Sequence, residues 1–142
     1  MDVFGLPLHP LVVHAAVVLV PLASLGALAV LVSRRLRDRY GWLTALVAVG
    51  AAVATIVARL SGEALAASLG IGRLVAGHRA WGELTPWPAV VLALTLPAAL
   101  LLQRRSVLGW RVAAVVSMIA ALAGLVLIAL TGHSGATAVW GR

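Results

Sequence analysis

The side chains of this sequence best suited to chemistry at a point are its four histidines, His9, His14, His78 and His133. A neutral imidazole ligates metals, donates or accepts a hydrogen bond, and changes charge close to neutral pH. Cysteine is absent, which removes thiolate metal sites, disulfides and iron–sulfur ligation. Two kinds of site follow if imidazoles from separate helices meet at one depth. A b-type haem needs two axial imidazoles on facing helices, with small residues making room for the macrocycle. A zinc or copper ion needs three or four imidazoles or carboxylates converging on a point. His14 is the first candidate haem ligand, with His78 or His133 opposite and His9 in the same cluster. Glu63 is the carboxylate available to fix a histidine tautomer. The same histidines are the candidates for a metal ion. His9 and His14 stand five positions apart, so they do not form the i, i+3 or i, i+4 pair of two ligands on one helix face.

Each of these residues also has a structural reading. His9-Pro10 suits the start of a helix, because the N–H that proline lacks is unbonded there anyway. His14 lies inside an apolar run, where a polar ring is costly without a partner; a bond to a backbone carbonyl satisfies it as well as a cofactor does. His133 sits in Thr131-Gly132-His133-Ser134-Gly135, and an imidazole there meets the negative end of a helix dipole. His78 is in a stretch with amphipathic character and is read as solvated at the interface. Glu63 has Arg59 one turn earlier as an ion-pair partner. No Ser/His/Asp or Walker-type arrangement is present, so no self-contained catalytic site is expected.

The elements that must position these residues are membrane helices. Mean hydropathy is +1.09, with 63% hydrophobic and 11% charged residues, which excludes a soluble domain with a charged surface. The pattern predicts an all-α, polytopic four-helix bundle in a single domain, 1–142. Its helices fall at about 11–33, 41–60, 86–102 and 111–131, with an outer loop carrying a short amphipathic helix at about 61–85. Each apolar run has about the length that crosses a hydrocarbon core of roughly 30 Å. The first run lacks a basic segment before it, since Asp2 is the only charge ahead of Arg34, so it is read as a span and not a cleaved signal. Span cores carry no Asp, Glu, Lys or Arg, the usual hardware of proton pumps and charged-substrate transporters.

Arginine sets the orientation. Arg34, Arg35, Arg37 and Arg39 crowd the first short loop, and Arg104, Arg105 and Arg111 flank the turn before the last span. By the positive-inside rule both are cytoplasmic, which puts both termini and the 61–86 loop outside, in a bacterial inner membrane. Arg59, Arg73, Arg79 and Arg142 then face Asp2, Glu63 and Glu83 on the outer side. The net charge of +7 is therefore a topology signal with attraction to anionic lipid, and nucleic acid is not an expected partner. Lipid is the expected surrounding, and a redox partner protein or a second copy of the chain is the kind of protein partner that fits. Trp42 and Trp110 are expected at the inner boundary, and Trp81, Trp87 and Trp140 at the outer one.

The two halves repeat. Arg34-Arg35 and Arg104-Arg105 differ by 70 positions, as do Gly62 and Gly132. A common offset points to two tandem duplicated helical hairpins related by a pseudo-twofold axis along the membrane normal. It matches Glu63 with His133 and brings His9 next to His78, near one centre at the outer end.

His9-Pro10-Leu11-Val12-Val13-His14, Ser61-Gly62-Glu63-Ala64, Gly77-His78-Arg79 and the closing stretch from Thr131 to Trp140 together resemble a family of bacterial membrane proteins without an assigned activity, domain of unknown function 2231. The resemblance covers essentially the whole chain and implies a four-helix membrane protein marked by these histidines and glycines. Some relatives are joined to Rieske-type iron–sulfur domains, which implies membrane electron transfer. The chain departs from the family pattern at Ala15-Ala16, where a Phe-Pro pair is usual.

Overall fold

The computed structural model describes residues 2–3 and 6–140. Arg142, counted above among the outer charges, lies outside them. Two short strands, β1 (Asp2–Val3) and β2 (Leu6–Pro7), pair antiparallel. Five helices follow: α1 (Leu8–Val32), α2 (Arg34–Leu69), α3 (Ala76–Leu84), α4 (Pro86–Leu102) and α5 (Val107–Trp140). Four helical stretches are long and apolar enough to cross a membrane, α3 and α4 counting as one.

Helix α1 starts with Pro10 in its first turn, where a missing N–H breaks nothing, and carries Pro21 inside. Ser33, extended at φ −112° and ψ 112°, is the one residue between α1 and α2, and its hydroxyl accepts from the Leu36 N–H at 3.4 Å. Arg37 then folds back over the open end of α1, donating to Val30 O at 3.4 Å and Leu31 O at 3.2 Å. A cation on the last carbonyls of a helix is favoured by the dipole as well as by the bonds. The same guanidinium donates to Gln103 Oε1 at 2.9 Å and lies 5.3 Å from the Trp110 ring centroid. One arginine thus ties α1, α2, the end of α4 and α5 together at the end of the bundle where α1 meets α2. Trp110 is half-buried under it, with its indole N–H unpartnered among the described residues.

At its other end α2 runs past 60 to Leu69, so Ser61 to Leu69 is helix rather than loop. It stops at Gly70, whose φ of 64° is left-handed and strained for any residue with a Cβ; the Ile71 N–H closes on Ala66 O at 3.3 Å. Thr85, the residue before Pro86 at the start of α4, keeps helical angles (φ −58°, ψ −36°) and makes no capping bond. Its hydroxyl bonds back to Trp81 O at 2.9 Å and pairs with the Thr131 hydroxyl of α5 at 2.9 Å. With Thr85 held in this conformation, α3 leads directly into α4.

Helix α1 packs along α2 and α5, and α4 along α5 and α2. The four spans thus close a ring in the order α1, α2, α4, α5, each packed on two neighbours. The core is made of small side chains, among them Ala23 and Ala27 of α1, Ala48 and Ala51 of α2, Ala99 of α4 and Ala121 of α5. Large apolar residues such as Val18, Leu22, Leu25, Leu46, Leu94 and Ile119 point outward. In lipid, apolar area gives no net drive to helix association, so close backbone approach and dispersion contacts hold the bundle. Ser117, buried on α5, donates to Thr95 of α4 at 2.8 Å and adds one polar link inside it.

Candidate functional site

At the Gly70 end of the bundle, a cavity of about 170 Å³ lies between α1, α2, α3 and α5. Its apolar lining includes Val13, Ala16, Val17, Leu65, Val75 and Ile128, and its polar lining includes His9, His78, Thr55, Thr85 and Thr131. Arg59, Glu63, Arg79 and Glu83 also line it.

His9 reaches it because the first turn of α1 lies against α2. Its Nδ1 is 2.9 Å from Ala58 O and 3.4 Å from Ser61 Oγ. The Ser61 hydroxyl itself bonds to Val57 O at 2.7 Å, so the carbonyl of Ala58 is the imidazole's main partner. Close approach is possible because Gly62 has no side chain: a Cβ there would sit 2.8 Å from His9 Cε1. His78 repeats the arrangement on the other hairpin. Its Nδ1 lies 3.0 Å from Thr131 O on α5, and its ring rests on Gly135, where a Cβ would sit 3.1 Å from Nδ1.

A carbonyl oxygen only accepts, so Nδ1 carries the proton in both rings and Nε2 of the neutral imidazole keeps its lone pair. Neither Nε2 has a hydrogen-bond partner among the described residues. The other polar groups of the lining have partners within the protein, although each arginine, bonded through Nε, keeps further N–H donors. The Thr55 hydroxyl donates to Ala52 O, Thr85 and Thr131 pair with one another, and Arg59–Glu63 and Arg79–Glu83 are i, i+4 ion pairs at 3.3 and 2.9 Å.

Of the residues singled out in the sequence, His9, His78 and Glu63 line the cavity, and His14 and His133 do not. His14 is exposed on the outer face of α1 and bonds to Pro10 O of its own helix at 2.6 Å. His133 is exposed on α5. Glu63 accepts from Arg59 and from no histidine. The structure therefore joins the two histidines that the 70-residue offset brings together, and leaves the other two apart. Arg79, Glu83, Thr55 and Thr131 were not singled out as site residues; the Arg-x-x-x-Glu spacing shared by Arg59–Glu63 and Arg79–Glu83 is the signal that marks two of them.

These residues do not fit a b-type haem. His14 does not share the cavity with His78, and the volume is below the roughly 300–1,000 Å³ of pockets for drug-sized ligands, let alone a porphyrin. Among the described residues, no three His, Asp or Glu side chains are grouped so as to hold a metal ion. What the arrangement does offer is a small cavity lined by two imidazoles whose Nε2 atoms have no hydrogen-bond partner among the described residues, and by two arginine–glutamate pairs.

Neither a curated protein nor a solved structure matches this chain. A sequence profile described as predicted membrane protein (DUF2231) matches residues 5–142. With its four spans and its histidine- and glycine-marked helix ends, the chain belongs to that family of membrane proteins, domain of unknown function 2231.

Proposed function

We propose that this protein is a non-enzymatic, multi-pass subunit of a bacterial inner membrane, with both termini outside. Its working part is the cavity between His9 and His78, a binding site for a small ring-shaped molecule taken from the outer leaflet. The observation that carries this reading is the pair of imidazoles, each held through Nδ1 by a backbone carbonyl and each leaving Nε2 without a partner at one apolar cavity. Fixing one nitrogen to orient the other is how proteins prepare a histidine to meet a ligand. The orientation is supported by seven arginines near the ends opposite the cavity, at 34–39 and 104–111, against four elsewhere.

An apolar cavity of about 150 Å³ accepts benzene, so this one accepts a single six-membered ring. The test is binding of phenol against toluene to the detergent-purified protein. Wild type prefers phenol, whose hydroxyl meets an imidazole lone pair, and the doubly substituted His9→Leu, His78→Leu protein loses that preference. Failure of wild type to bind either would overturn the reading.

A second reading has its own observation. The His9 and His78 bonds each cross between helices, α1 to α2 and α3 to α5, and so staple helix ends. Under that reading the leucine variants lose stability while ring binding is absent from the wild type too.

A further inference from the structure

We infer that the arginine-rich end of the bundle, where α1 meets α2, is a docking surface for the headgroups of anionic phospholipids, which it gathers from the surrounding leaflet. The inference is independent of the cavity at the Gly70 end.

Three observations carry it. The first is unbalanced charge. Seven of the eleven arginines stand at 34–39 and 104–111, in and beside the two short connections of this end. Arg37 is half-buried and spent on helix-end carbonyls, on Gln103 and on the Trp110 ring. Arg34 faces Asp38 at 3.9 Å, and both side chains are exposed. Arg35, Arg39, Arg104, Arg105 and Arg111 are exposed and form no ion pair among the described residues. Like charges gathered at one end repel until counter-anions come to them. The second is that the two runs share one surface. Arg37 Nε bonds Gln103 at 2.9 Å and its guanidinium lies over the Trp110 ring, which holds the start of α2 against the α4–α5 turn. Runs remote in sequence therefore meet at one place.

The third observation is what borders the cations. Val32, Leu36, Tyr40, Trp42, Val107 and Leu108 are exposed, interleaved with the arginines where membrane-crossing helices end. Such a mixture places the cations at headgroup depth with apolar side chains toward the acyl region. A soluble phosphate would leave those apolar side chains bare, whereas a lipid covers both kinds. A guanidinium takes two phosphate oxygens through parallel N–H···O bonds. Phosphatidylglycerol offers a phosphodiester with no cation of its own. Phosphatidylcholine brings a cation that neighbouring arginines repel, so the surface selects by headgroup charge.

The full chain carrying Trp81→Phe, Trp87→Phe and Trp140→Phe keeps Trp42 and Trp110 as fluorescent reporters of this end. It is reconstituted in phosphatidylcholine vesicles holding a minority of phosphatidylglycerol, with bromine on the acyl chains of one lipid or the other. Both leaflets have the same composition, so the direction of insertion does not affect the reading. Brominated phosphatidylglycerol is expected to quench at least roughly fivefold more per lipid, the gain of one basic side chain at an anionic surface. Salt at about 1 M, where the Debye length falls to about 3 Å, is expected to cut that preference by at least half. Combined Arg35→Gln, Arg39→Gln and Arg105→Gln should do the same, and lysine at the same three positions should preserve it. Equal quenching by the two lipids before any arginine is changed overturns the inference and leaves the surface to an acidic protein partner or to topology alone. A preference untouched by both salt and the glutamine substitutions also overturns it, since the arginines would then not be its source.

Discussion

At the residue scale, the two cavity histidines depend on glycines that sequence inspection marks only as small. The Gly62 backbone lies so close to the His9 ring that a side chain has no place. Gly62→Val should therefore cost about 1–3 kcal/mol, the usual cost of overpacking, in reversible unfolding from detergent. Gly72→Ala, where an added Cβ meets nothing within 4 Å, should leave stability unchanged. Arg37 is the other residue on which several contacts meet. Its substitution by Ala removes bonds to two helix-end carbonyls, the link to Gln103 and the stacking on Trp110. A loss of about 1.5–3 kcal/mol is expected, as for hydrogen bonds made by a charged group, with Arg39→Ala costing much less in the same measurement. The sequence showed four histidines without showing which two face inward. Helix α1 is apolar all round, so no contrast of hydrophobic and polar faces orients it. Small residues do: His9, Val13, Ala16, Val20, Ala23 and Ala27 lie along one stripe at helical spacing, while His14 shares the exposed face of Val18, Leu22 and Leu25.

At the scale of elements, hydropathy marks where a helix leaves the lipid and not where it ends. Arg34 to Tyr40 and Ser61 to Leu69 lose their apolar character, yet both continue α2, because Arg, Leu, Ala and Glu are good helix formers in water. The stop is set by Gly70, and Gly70→Ala should cost about 1–2 kcal/mol, the strain of a left-handed residue with a Cβ, read by thermal unfolding in detergent. Thr85-Pro86 resembles a helix start, but the hydroxyl that would cap is used instead between helices. A double-mutant cycle with Thr85→Val and Thr131→Val should return a coupling of about 0.6 kcal/mol, the average for a hydrogen bond between membrane helices.

At the scale of the whole molecule, the proposed orientation rests on the arginine distribution, with seven of eleven arginines near the ends opposite the cavity. Orientation can be read directly because no native cysteine interferes. Ser68→Cys in intact cells should react with a membrane-impermeant thiol reagent, while Ser106→Cys should react only after lysis; the reverse pattern would put the cavity on the cytoplasmic side. The four spans were legible in the sequence, since lipid imposes length and apolarity on each helix. The site was legible only as a set of four histidines, because ring placement depends on small side chains and on carbonyls at helix ends. Of the four histidines, His9 and His78 alone line the cavity, each with Nε2 unpartnered among the described residues. Nitrogen NMR of histidine-labelled protein in micelles, above the pH at which imidazole is charged and with and without phenol, tests it most directly. Nδ1-protonated rings are expected for both, with Nε2 shifts confined to them when phenol is added. Shifts spread equally over His14 and His133, or Nε2-protonated rings at His9 and His78, would contradict it.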